Sequence, residues 1–199
     1  LKDFLIYFLA LLLGFTLLHD SNYKKILEIF NKNNNYYSSS PAKLKTSKEL
    51  AFIYVTSSTC PYCNDEELLS TIDKIKYQLK EKADSMGYNF TAIGVGIEQS
   101  SSIGLRHFSK SGFYDEIIVG NSWNNIGSLY YIQDHFKGVA MTPQLIITMR
   151  DYQVLNPSDI NFRENAGLTN EVELVRKTGL TNISNWYKNG LQIPFNNTD

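Results

Sequence analysis

An α/β fold built on a strand–helix–strand unit is the class this sequence predicts, and three features point there. Residues 49–56, "ELAFIYVT", are an apolar run rich in aromatic and β-branched types, the pattern of a buried strand. Residues 64–87 then place Leu68, Leu69, Ile72, Ile75 and Leu79 at helical spacing, and residues 88–98, "YNFTAIGVGIE", alternate as a second strand does. Cys60 and Cys63, in "SSTCPYC", sit at the turn from strand to helix and are the only cysteines among 199 residues.

Taken from its start, the chain opens with an apolar segment, 1–20. Within it, "FLIYFLALLLGFTLL" runs fifteen residues without a charge. As a helix it would span about 22 Å at ~1.5 Å per residue, short of a hydrocarbon core of about 30 Å. That length fits a minimal anchor or a signal-peptide apolar region. No small-x-small cleavage pattern follows it, so the expectation is an uncleaved anchor with the folded part outside the cytoplasm; the alternative is secretion after cleavage. Residues 21–48 include "NKNNNYYSSSPAKLKTSK", polar and biased to Asn and Ser, and read as a linker. The folded domain is expected over 49–190, with 191–199 as a tail.

Within the domain, Asp65, Glu66 and Glu67 open the helix, where carboxylates suit the dipole, and Gly87 closes it. "SSSIGLRHFSKSGF" reads as a short helix and "DEIIVG" as a strand. "SWNNIGSLYYIQDHF" reads as a helix with Ile126, Leu129, Tyr130 and Ile132 toward the core. A strand over 144–148, a turn over 149–151 and a strand over 152–155 follow. "TNEVELVRKTG" reads as a helix capped by Thr169 or Asn170 and stopped at Gly179, before a last short helix over 183–189.

The bulk composition is that of a globular protein, 43% hydrophobic and 20% charged. A formal net charge of −1 supplies no field for nucleic acid. Glycine motifs that cradle phosphate are absent, and no local pattern supports Ser/His/Asp catalysis. His107 and His135 are expected in surface or loop positions.

With the strand, the Cys-Pro-Tyr-Cys turn, the helix and "MTPQLII" in place, residues 49–190 resemble the thioredoxin superfamily. Two motifs carry the resemblance: Cys60-Pro61-Tyr62-Cys63, which is the glutaredoxin dipeptide, and Thr142-Pro143 before an apolar strand. The resemblance implies a thioredoxin-like fold, a central mixed sheet flanked by helices, with Pro143 cis and facing the cysteine pair. The 79 residues between Cys63 and Pro143 exceed what a minimal member needs, which implies an insertion between 98 and 136. Exported, membrane-tethered thioredoxin-like proteins of bacteria are similar in this respect. Thioredoxins place Trp before the first cysteine and bury Asp six positions before it; this chain has Thr59 and Tyr54 there. The stretch after the proline strand, "TMRDYQVL", lacks the Gly-Gly of a glutathione site.

The implied chemistry is thiol–disulfide exchange. A thiolate attacks a disulfide sulfur, and a second thiol releases the mixed disulfide. By this reading Cys60 attacks and Cys63 resolves, Pro61 and Tyr62 tune the turn, and the Thr142–Pro143 loop aligns a substrate strand. Unpaired N–H groups at a helix start favour a thiolate, whereas Asp65, Glu66 and Glu67 oppose it. With two cysteines, electrons must pass to or from another protein or a small thiol. The expected partners are protein dithiols or disulfides and a recycling partner, with no cofactor and no metal.

Other readings of the pair stand beside this one. It could be an inert disulfide, although so small a loop gives little entropic stabilisation. It could supply two metal ligands with His107 and His135 as the others. It could also gate a redox-sensing or protein-interaction module without turnover.

Overall fold

A computed structural model describes residues 48–154 and 166–195. The expected N-terminal anchor, the linker up to residue 47 and the last four residues lie outside the described residues. Among those described, no helix is long and apolar enough to cross a membrane.

Five strands form one mixed sheet in the order β3-β2-β1-β4-β5. The chain runs β1 (Lys48–Thr56), a 3₁₀ turn (Tyr62–Asn64), α1 (Glu66–Ser85), β2 (Asn89–Gly96), α2 (Ser101–Phe108), β3 (Glu116–Ile118) and α3 (Ile126–Ser128). It ends with β4 (Gln144–Val154), β5 (Ala166–Thr178) and α4 (Leu180–Lys188). β1, β2 and β3 are parallel, while β4 runs antiparallel to β1 and β5 antiparallel to β4. The arrangement is α/β and resembles a thioredoxin-like fold.

β1 is central and buried on both faces, which is why its sequence is continuously apolar rather than alternating. Leu50, Phe52 and Tyr54 face one layer, built from Leu68, Ile72, Ile75 and Leu79 of α1 with Phe108, Ile183 and Trp186. Ala51, Ile53 and Val55 face the other, with Ile93, Val95, Tyr131, Ile132 and Ile146. Each large side chain so buried contributes roughly 1.5–3 kcal/mol.

The expected insertion holds α2, β3 and α3. α2 presses closely on β2 because glycine is what β2 offers there: a Cβ on Gly94 would stand 2.6 Å from the Phe108 ring. Lys76 of α1, fully buried, fastens the segment after α2. Its ammonium donates to the carbonyls of Ser111 (2.6 Å) and Phe113 and lies over the Phe113 and Tyr114 rings. Burial pulls its pKa down to about 8.

Four expectations are corrected. α3 runs into a π-helix over Leu129–Asp134, whose wider turn replaces the 3.6-residue period. Ile132 faces the core as expected and Tyr131 joins it, Leu129 and Tyr130 are half-buried, and Ile126 is 74% exposed. β4 is one strand with no turn at 149–151, paired with β1 as far as Lys48 opposite Asp151. "TNEVELVRKTG" belongs to strand β5, not to a helix. Register shifts opposite Ile147/Thr148 and Asp151/Tyr152 break its alternation, so apolar residues recur at helix-like spacing. Thr169 caps nothing; its hydroxyl donates to the Asp151 carbonyl at 2.9 Å. Gly179 precedes a helix, α4, instead of ending one.

A buried polar ladder explains the β4 misreading. Arg150 donates from Nη1 to Glu49 at 3.0 Å, from Nε to Glu171 at 2.9 Å, and from Nη2 to the Tyr131 hydroxyl. Thr148 and Tyr130 donate to the same Glu171 carboxylate at 2.6 and 2.9 Å. Charges that suggest a surface turn are here satisfied inside the sheet. Beyond α4, Leu191 is buried, Ile193 and Phe195 pack on the core, and Trp186 Nε1 donates to the Gln192 carbonyl at 3.0 Å.

Candidate active site

The Cys-Pro-Tyr-Cys segment follows the carboxyl end of central strand β1. Thr56 closes the strand, and Cys60 N–H donates to the Ser57 carbonyl at 3.2 Å to make the turn. Asn64 ties the loop down, its Nδ2 donating to the carbonyls of Ser58 (2.8 Å) and Cys60 (3.0 Å). Ser58 N–H donates to the Glu98 carboxylate.

The pair does not sit in the first turn of α1. Pro61 starts a separate 3₁₀ turn, in which Cys63 N–H donates to the Cys60 carbonyl at 3.1 Å. Asp65 then adopts extended backbone (φ −64°, ψ 124°) and caps α1 by accepting from Leu68 N–H at 2.8 Å. Asp65 is thus the N-cap rather than a first-turn acid, and part of the positive end of α1 is met by its carboxylate. An Asp followed by two glutamates and an apolar run is a legible N-cap signal.

The two sulfurs are inequivalent. Cys60 is partly exposed and Cys63 is fully buried; both are free thiols. Burial, reinforced by Cys60, pushes the Cys63 thiol up to about 11, with the polar groups of Thr56, Ser57 and Thr142 opposing that rise. The Cys60 thiol donates to the Thr142 carbonyl at 3.5 Å. The Thr142–Pro143 peptide is cis, and Pro143 is buried. Distant in sequence, Cys60, Cys63, Thr142 and Pro143 thus meet at one end of the sheet. Pro61 and Tyr62 stand outward, Tyr62 being 66% exposed; Val139 and Met141, just before Thr142, are exposed too.

The histidines part company. His135 is exposed and stacks on Tyr130 with ring centroids 4.7 Å apart. His107, expected in a surface or loop position, lies on α2 and is 2% exposed, and its Nε2 lies 2.9 Å from the Thr56 hydroxyl. Its burial follows from α2, where Gly104, His107 and Phe108 share the inward face at i, i+3, i+4 spacing. That spacing was readable in the sequence and marks His107 as inward. Among the described residues no group of three or more His, Cys, Asp or Glu could hold a metal.

Three neighbours of the pair were not expected as site residues. Thr56 touches His107, its hydroxyl 2.9 Å from Nε2. Glu98 is buried, holds Ser58, and leaves Oε2 without a partner among the described residues. Tyr54 is fully buried beside the cysteines, and burial holds its phenol well above the ordinary tyrosine range.

No protein-family model matches the sequence, and no curated protein matches it. The solution structure of a thiol:disulfide interchange protein from Bacteroides sp. is similar at 12% identity and a TM-score of 0.36. The likeness covers 51% of this chain and 58% of that one.

Proposed function

We propose that this chain is a thiol–disulfide oxidoreductase that exchanges disulfides with proteins through Cys60 and Cys63. The observation that carries the reading is the inequality of the two sulfurs: one reachable at the Thr142 carbonyl, the other buried three residues on. An exposed sulfur meets the substrate; a sheltered one meets only the covalent intermediate.

The Cys60 thiolate attacks a substrate disulfide, forming one S–S bond and releasing one substrate thiolate. Cys63 then gives up its proton and attacks Cys60, which releases the second substrate thiolate. The substrate gains two electrons and the pair becomes a disulfide; the reverse sequence oxidises a substrate dithiol. Exposed Tyr62, Val139 and Met141 offer apolar surface beside the pair, which suits a polypeptide better than a small thiol. A second redox partner resets the pair. The apolar segment at 1–20 would hold the domain at a membrane, on its extracytoplasmic face.

Catalytic reduction of insulin disulfides tests the proposal. Turnover should vanish in Cys60→Ser, and Cys63→Ser should accumulate a mixed disulfide on Cys60. Wild-type protein that neither turns over nor forms such an adduct would overturn it.

A further inference from the structure

The segment ahead of the cis peptide, residues 137–141, is exposed throughout, yet its backbone is fastened from the inside. Gln144, which has no exposed surface, donates from Nε2 to the carbonyls of Val139 (2.5 Å) and Met141 (2.6 Å), so both hydrogens of its amide are used. Its Oε1 accepts from Arg176 Nη1 at 3.0 Å, and Arg176 Nη2 donates to the Tyr131 carbonyl at 3.1 Å. Glu173 orients Arg176 in turn, accepting from Nε at 3.1 Å. Met141 N–H donates to the Val139 carbonyl at 2.9 Å, a three-residue turn that brings the two residues together. Gly138 lets this turn lie on the guanidinium, since a Cβ there would stand 2.6 Å from Arg176 Nη1. What the frame holds outward is apolar: Val139 is 67% exposed and Met141 44%, and residues 138–142, "GVAMT", carry no charge.

Single exposed apolar side chains are ordinary, but two on one pinned turn beside a reactive sulfur mark a contact surface. The turn adjoins the sulfur directly. Thr142 follows Met141, and its carbonyl oxygen is 3.5 Å from Cys60 Sγ. Covalent geometry then keeps the Met141 Cα within about 10 Å of that sulfur. An extended chain advances about 3.3 Å per residue, and side chains two residues apart share a face. A side chain two residues from a cysteine bonded to Cys60 therefore points at the protein and reaches this turn. We propose that Val139 and Met141 determine which substrates the pair takes: polypeptides with a large apolar side chain two residues from the reacting cysteine. Gln144 and Arg176 touch no substrate and are positioning residues that hold the turn in place. The inference rests on the exchange reading and gives it a substrate class.

A pair of peptides tests it. Each carries its one cysteine as a mixed disulfide with pyridinethiol, and they differ only in having Leu or Ser at the positions two residues from that cysteine. Cys60 attacks the peptide sulfur, the bond to the pyridine sulfur breaks, and the pyridinethiolate leaves with the electron pair, read as thiopyridone. The reduced protein should react about fivefold to tenfold faster with the Leu peptide, as partial burial of one leucine allows. Val139→Ser and Met141→Ser, both at exposed positions, should each bring the ratio toward one. A wild-type ratio of one, or a ratio that survives both changes, overturns the selection. Gln144→Glu keeps a partner for Arg176 but, as a carboxylate, has no hydrogen for the two carbonyls, and should also lower the ratio. Gly138→Ala presses a methyl group on the guanidinium and should do the same, which carries this arm if Gln144→Glu fails to fold. A general loss of reactivity at Cys60 slows both peptides and leaves their ratio alone, so a ratio unmoved in these variants overturns the positioning role. Dithiodipyridine, which has no flanking residues, separates the two proposals. Wild-type protein that releases thiopyridone from it but does not distinguish the peptides keeps the exchange chemistry and loses this inference; no release from any of the three reagents overturns both.

Discussion

The Cys60 sulfur stands 3.5 Å from the Thr142 carbonyl oxygen while Cys63, three residues later, has no exposed surface. Alkylation should follow that asymmetry. Iodoacetamide on the reduced, folded protein should modify Cys60 alone near neutral pH. Cys63, whose pKa burial raises to about 11, should react only after denaturation. Peptide mass spectrometry of briefly labelled protein reads this directly; equal labelling at both sites would remove the basis for assigning separate roles.

Asp65 separates the cysteine turn from α1, and its carboxylate serves the helix. Asp65→Ala should destabilise the domain by about 1 kcal/mol, while Asp65→Asn, which keeps an acceptor, should cost only a fraction of that. At this chain size the alanine variant should melt roughly 2–4 °C lower. Calorimetry of the three proteins checks it, and identical melting points would deny Asp65 a capping role.

Arg150 is the buried centre of the β4–β5 ladder, with Glu49 on one side and Glu171 on the other. Arg150→Ala strands two carboxylates inside the sheet and should cost about 3–5 kcal/mol. Urea unfolding should show a lower midpoint. A loss below about 1 kcal/mol would mean that the pairs contribute no more than surface ion pairs do.

The same ladder shows where the sequence was legible and where it was not. β1, α1 and β2 were readable because their neighbours demand only apolar burial at a regular period, and that unit holds the cysteine turn. Thr142-Pro143 was readable as a motif. β4 and β5 were misread because Arg150, Asp151 and Glu171 carry charge wherever they sit, and only pairing across strands shows that two of them are inside. His107 was misplaced for a related reason: a histidine is judged polar until its helix face is known. The π-turn at 129–134 defeated the helical period itself.

Lys76 gives the fold a pH dependence whose sign can be worked out. Its pKa is lowered from 10.5 to about 8 by burial, with Asp73 pulling the other way. Between those values the unfolded chain holds more protons than the native one, so stability rises with pH across the window. The contribution is complete above the unfolded value and is lost as pH falls through the folded one. Tyr114, buried and raised above the ordinary tyrosine value, acts in the opposite sense above about pH 10, because the unfolded phenol ionises first. Cys63, raised to about 11, and the other buried tyrosines also lower stability as pH rises over this range, so the Lys76 contribution, about 2 kcal/mol between about pH 8 and pH 10, is read as a difference from a variant that lacks the ammonium. Lys76→Met has no proton to lose there, so the wild-type protein should gain about 2 kcal/mol on the variant between about pH 8 and pH 10, whatever the variant's stability at pH 7. Denaturant midpoints of both proteins across that range decide the matter: parallel curves would mean that the buried ammonium keeps an ordinary pKa.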